Sequence, residues 1–193
     1  MTGRTRGRPR DPGADGQIMK AALELFTERG LEGANFEQIA KRAGVAKVTI
    51  YRRWSSKEEL LVQAIEQART VPHEAEVWAG AEAPAEELMD SWVATFGDAR
   101  FRAVLAQLVG SSVTHPALLA TYRERFIAPR RALIRAALAR AGHEGDLDTV
   151  IDMVVGAAMY RMLIDPGSFD DPAEVRRYLQ AVIGQAGRLL PPE

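Results

Sequence analysis

From Gln17 to Arg29 apolar side chains recur at Ile18, Ala21, Ala22, Leu25 and Phe26, the spacing of one face of an α-helix. Asp15 is placed to cap its start, and Gly30 follows its basic last turn as a left-handed stop. A second short helix is predicted from Asn35, with Gln38 completing a capping-box pattern, Phe36, Ile39 and Ala40 facing inward, and an end at Gly44. After Val45 a third helix runs to about Trp54; Ile50 and Trp54, four residues apart, share its buried side. Ser55 or Ser56 then caps a fourth, which carries Leu60, Leu61, Ala64 and Ile65 and stops before Pro72.

The stretch 73–84 is rich in Ala, Glu, Gly and Pro without period and reads as a linker. Helical spacing resumes over 85–98, 99–112, 116–141, 146–164 and 172–190, and no segment alternates as a strand does. Pro129 lies inside the third of these and is expected to kink or split it. The predicted fold class is therefore all-α. A basic arm (1–14) precedes a three-helix helix-turn-helix (15–60), and a larger helical domain (61–193) follows.

Charge separates the parts more clearly than composition does. Residues 1–60 carry 12 Lys and Arg against 8 Asp and Glu, whereas the remainder carries 13 against 18, so only the front of the chain suits a polyanion. Without cysteine there is no disulfide framework and no cysteine-based zinc site, which fits a cytoplasmic location. The most apolar stretch, 153–160, is bracketed by Asp152 and Arg161, so neither a membrane span nor a signal peptide is expected. His73, His115 and His143 are scattered, and no His-Glu-x-x-His motif or glycine-rich phosphate loop occurs. Catalytic residues, a metal and a cofactor are accordingly not expected.

The solvent side of the third helix holds Lys47, Val48, Tyr51, Arg52 and Arg53. Lys and Arg can donate to guanine acceptors, Val48 can meet a thymine methyl, and the hydroxyls of Thr49 and Tyr51 can reach phosphates. The segment FEQIAKRAGVAKVTIYRRWSSKEELL, within a match over about Ile18 to Ile65, closely resembles the DNA-binding region of TetR-family regulators. That resemblance implies base contacts from Lys47, Val48 and Arg52, and backbone contacts from Thr49, Tyr51, Arg53 and Lys57. It departs from the family at Ala34 and Ala46, where hydroxyl residues are usual, with Asn35 able to replace one lost backbone contact. It departs also at Trp54, where Phe is commoner. Arg6, Arg8 and Arg10 resemble a minor-groove hook, although a merely solubilising tail has the same composition.

In the second domain the resemblance implies a homodimer formed by the last two helices and a cavity for a small hydrophobic effector. Apolar periodicity supplies Ile151, Val155, Ala158, Met162, Leu179, Val182, Ile183, Ala186 and Leu190 as the dimer face, with Gly184 and Gly187 allowing close helix approach. Trp92, Phe96, Leu105, Leu108, Tyr122, Phe126, Met153 and Tyr160, with Gln107 as a polar anchor, are the expected pocket lining, though such residues also build ordinary cores. The expected function is a repressor that leaves a palindromic operator in double-stranded DNA when an apolar ligand binds. An activator or an architectural protein without effector fits the same residues.

Overall fold

A computed structural model describes residues 12–69, 85–140, 142 and 145–189, and contains helices and turns but no strand among the described residues. The chain divides into two compact units between Ala64 and Ile65. In the first, α1 (Pro12–Gly33) is broken at Gly30, whose φ of 67° and ψ of −170° suit glycine and kink the helix. The helix begins earlier than its apolar pattern suggested, so Asp15 lies within the first turn and not at the cap. Asn35 does cap α2 (Phe36–Ala43): its side-chain oxygen accepts from the Gln38 N–H at 3.0 Å. Gly44, at φ 67° and ψ 29°, closes the helix by donating its N–H to carbonyls of the last turn.

Next come α3 (Lys47–Tyr51) and α4 (Lys57–Gln67). Ser56 is the cap of α4, its hydroxyl accepting from the Glu59 N–H at 3.1 Å, while the Glu59 carboxylate takes the N–H and hydroxyl of Ser55. Ile18, Phe26, Ile39, Ile50, Leu60 and Leu61 are fully buried, so each of the four helices withdraws large apolar side chains from water. Arg42 adds a two-pronged bond to Glu28 at 2.7 and 2.8 Å that fastens α2 to α1 and holds the Glu28 carboxyl below its usual range.

The second unit contains α5 (Ala85–Gly97), α6 (Ala99–Gly110), α7 (Pro116–Tyr122), α8 (Ala128–Arg140), α9 (Leu147–Ile164) and α10 (Pro172–Leu189). Between α7 and α8 a π-helical turn spans Arg123–Ile127, and a 3₁₀ turn, Pro166–Phe169, precedes α10. Pro129 thus splits the long helix as expected, but through a change of helical register and not a loop. The core gathers Val93 and Phe96 from α5, Val154, Ala158 and Met162 from α9, and Val175 and Leu179 from α10 around Phe169. Sequence periodicity missed Phe169 because it stands on a short turn, yet it is fully buried between the rings of Phe96 and Tyr178.

Local capping and charge pairs register α9. Asp146 accepts from the Thr149 N–H and hydroxyl, and Asp148 from Arg135 at 2.5 Å and Arg131 at 3.0 Å; Arg131 also pairs with Asp152. Arg135 first, then Arg131, holds the Asp148 carboxyl below its ordinary value. A carboxylate more acidic in the fold than in the unfolded chain stabilises above its unfolded pKa, and that contribution fades as pH falls through the folded value. Asp148→Asn is therefore expected to be less stable than the parent at pH 7, with the difference closing below roughly pH 4. Chemical denaturation across a pH series checks this; a gap independent of pH would show that charge is not what the contact contributes.

Candidate nucleic-acid interface

Ile50 and Trp54 anchor α3 from within, both buried, and the Trp54 indole N–H donates to Gln63 Oε1 at 2.7 Å. Because helical residues one or two positions from Ile50 turn away from the side that it buries, Val48, Tyr51 and Arg52 emerge exposed, with Lys47 beside them. The helix proper is shorter than expected and ends at Tyr51, although the Arg53 and Trp54 N–H groups still bond to the Ile50 carbonyl. Ala46, at the N-cap, offers no side-chain hydrogen bond, as its lack of a hydroxyl requires.

Next to this face lies an open cleft of about 370 Å³ lined by Asn35, Phe36, Glu37, Lys47, Tyr51 and Lys57. Phe36 meets Tyr51 edge-on at 5.0 Å, and the Lys47 ammonium lies 5.7 Å from the Tyr51 ring centre, so the tyrosine is held between an apolar and a cationic neighbour. Lys57 reaches in from the first turn of α4. Its Nζ is 3.5 Å from the Leu31 carbonyl and 3.8 Å from the Glu32 carboxylate, long contacts that an incoming anion can replace. Two ammonium groups, a phenol and an amide around one cleft are suited to a phosphate of a duplex backbone.

Arg53 is held within the protein. Its guanidinium is mostly covered, pairs with Asp15 of α1 and donates to the Thr49 carbonyl at 3.0 Å. The pair braces the residues after α3 against α1, and a phosphate reaching Arg53 would compete with Asp15 for its charge. The brace was hidden in the sequence because its two ends lie far apart along the chain. Arg6, Arg8 and Arg10 lie outside the described residues.

Residues 18–64 match the family described as bacterial regulatory proteins, tetR family, and residues 82–182 match the tetracycline-repressor-like C-terminal domain. The chain belongs to the TetR family of helix-turn-helix transcriptional regulators. It is 31% identical over 176 residues to the regulator YdeS of Bacillus subtilis, with 86% of each chain covered. Over 67 residues, 34% of this chain and 30% of the other, it is 42% identical to the transcriptional activator FasR of Mycolicibacterium smegmatis. Its fold is similar to that of the fatty acid degradation regulator FadR from Bacillus halodurans, with a TM-score of 0.68 at 22% identity, covering 92% of this chain and 97% of that one. TetR regulators bind operator DNA and act as dimers.

Within this TetR chain the expected dimer face is corrected by the packing. Ile151, Ala158, Met162, Leu179 and Ala186 are buried in the protomer's own core; Val182 and Ile183 pack against that core, and Val155 is half-buried. Leu190 lies outside the described residues. Helix α9 is apolar nearly all round, and its stronger stripe turns inward toward α5 and α10. What remains outside is Gly156, Tyr160, Leu163 and Ile164, with Tyr160 at 66% and Ile164 at 67% exposed. Tyr160 therefore also leaves the predicted pocket lining. Of the other residues in that set, Phe96, Leu108 and Tyr122 are buried; Trp92, Leu105, Gln107, Phe126 and Met153 are half-buried. The packing joins Trp92 and Leu105 to the Phe96 cluster and sets Tyr122 against Phe126, with ring centres 5.6 Å apart and planes tilted by 43°. No group of metal-binding side chains occurs among the described residues, and none of their helices is long and apolar enough to cross a membrane.

Proposed function

We propose that this TetR regulator is a cytoplasmic, homodimeric repressor that sits on a palindromic operator and leaves it when a small, largely apolar ligand binds. The observation that carries the reading is the exposed face Val48, Tyr51 and Arg52, secured from behind by Ile50 and flanked by the cleft holding Lys47 and Lys57. Val48, Arg52 and Lys47 meet base edges in the major groove, while Asn35, Thr49, Tyr51 and Lys57 grip the backbone. The arm, with Arg6, Arg8 and Arg10, enters the neighbouring minor groove. A second copy docks on the outer stripe of α9, alongside exposed Ala181 and Gly184 of α10. A Cβ added at Gly156 or Gly184 would meet nothing within 4 Å in the protomer, which leaves space for a partner helix to approach closely.

Two substitutions test the assignment on duplexes selected from a random library by the wild-type protein. Arg52→Ala is expected to relax base preference and cost about 1 to 3 kcal/mol on the selected sequence, the value of a bidentate guanine contact. Lys57→Ala is expected to weaken all duplexes alike and to flatten the dependence on salt. Binding titrations at several salt concentrations read both effects. Unchanged sequence preference in the first variant would overturn Arg52 as a reader, and a wild type that selects no duplex would overturn the reading altogether. The partial similarity to an activator favours a second reading of the same DNA-bound dimer, in which occupancy raises transcription. A promoter reporter with and without the protein distinguishes the two by its sign.

A further inference from the structure

Pro129 stands one position inside α8, where an uninterrupted helix would ask its nitrogen to bond the Arg125 carbonyl and would drive its ring into that oxygen. The backbone resolves the conflict just upstream. Over Arg123–Ile127 it widens into a π turn, and the Ala128 N–H donates to the Arg123 carbonyl five residues back. Such a turn holds one extra residue, so everything beyond it is rotated by roughly 100° compared with a continuous α-helix. The first long side chain beyond it is Arg130. Its guanidinium lies over the Phe126 ring, 5.6 Å from the centre, and pairs with Glu66 in the last turn of α4.

That pair is well shielded, with the side chains only 17% and 13% exposed. Glu66 Oε2 is buried without a hydrogen-bond partner, so the carboxylate depends heavily on Arg130 for its compensation. Removing the arginine would leave a buried, uncompensated charge, which makes the contact close to all-or-none. The helix it holds is the one whose first turn supplies Lys57 to the cleft.

We propose that the π register imposed by Pro129 is a positioning device for DNA binding: it sets Arg130 on Glu66, and the pair fixes α4 in the arrangement that binds operator. This rests on the operator-binding reading above. Conversion of the turn to α register swings Arg130 off Glu66 and frees α4. Pro129, Arg130 and Glu66 are positioning residues and touch no DNA.

Three variants of the full chain, Pro129→Ala, Glu66→Gln and the double, test it on the wild-type-selected duplex. Pro129 is exposed and alanine is the better helix former, so its replacement opens no cavity and favours the continuous helix. Each single variant is expected to lose tenfold or more in affinity and to speed amide hydrogen exchange in residues 57–67, with exchange in α9 unchanged. The double variant is expected to be no worse than the more affected single, because both break one link. Arg130→Lys, which keeps the charge, is expected to retain most of the affinity. Wild-type affinity in the singles, multiplied losses in the double, or unchanged exchange in residues 57–67 would each overturn the proposal. If Pro129→Ala lost helicity, the near-isosteric Glu66→Gln would decide by the same two measurements. A wild type that selects no duplex would instead remove the operator-binding reading and this proposal with it.

Discussion

Tyr160→Glu is expected to convert the protein into a monomer that keeps its fold and loses its operator. The side chain is 66% exposed, and its neighbours on the same stripe, Gly156, Leu163 and Ile164, are exposed as well, so a carboxylate there disturbs no internal packing. Helical content and thermal midpoint should therefore stay close to those of the parent under conditions where the parent is also monomeric. In a two-fold interface each copy meets the same surface of the other, and one substitution introduces two carboxylates into a contact from which water is excluded. Sedimentation should then report the mass of one chain. With a single recognition helix left, the gain from simultaneous engagement of two half-sites disappears, and affinity should fall about 100-fold or more. Val113→Glu is the control: Val113 is exposed to a still greater degree, lies in the turn after α6, and accepts the same chemical change away from the stripe. A persistent Tyr160→Glu dimer would place the interface elsewhere.

That experiment addresses the feature least readable from the amino-acid sequence. Two helix ends were legible because caps act over three or four residues: Asn35 with Gln38 and Gly44 with the turn before it form as their spacing suggested. The exposed side of α3 was legible too, since Ile50 and Trp54 declare the inside and leave Val48, Tyr51 and Arg52 outside. In α9 the same logic had nothing to grip. With apolar residues on every side, spacing names the stripes but not their direction, and the stripe assigned to the partner turned inward. Side-chain pairs between distant segments were equally hidden: Asp15 with Arg53, Glu66 with Arg130, and Arg102 with the turn before α10. Charged residues are usually solvated on surfaces, so nothing in their local context marked these as buried partners.

Arg102→Met is expected to be among the most damaging single changes in the second unit, costing about 3 to 5 kcal/mol. Arg102 is 7% exposed, an unusual position for a guanidinium, and its surroundings explain why the burial is tolerated. Nη1 faces the carbonyls of Phe96, Gly97 and Phe169 at 3.0, 2.9 and 3.1 Å, while Nη2 donates to Asp170 at 2.5 Å. The end of α5 and the 3₁₀ turn carrying Phe169 thus have unpaired carbonyls that one flat, forked cation satisfies together. Methionine fills similar volume but donates nothing, so these carbonyls lose their partner; each buried acceptor left unmet costs about 1 to 3 kcal/mol. Asp170 is largely exposed and recovers water, so most of the loss comes from the backbone and not from the ion pair. Denaturant titration should show the loss directly, accompanied by a fall of roughly 10 °C in thermal midpoint. Arg102→Lys should fall between the two, because a single ammonium cannot span acceptors on both sides. A methionine variant within 1 kcal/mol of the parent would mean that water reaches these carbonyls and that the arginine is not what joins the turn to the bundle.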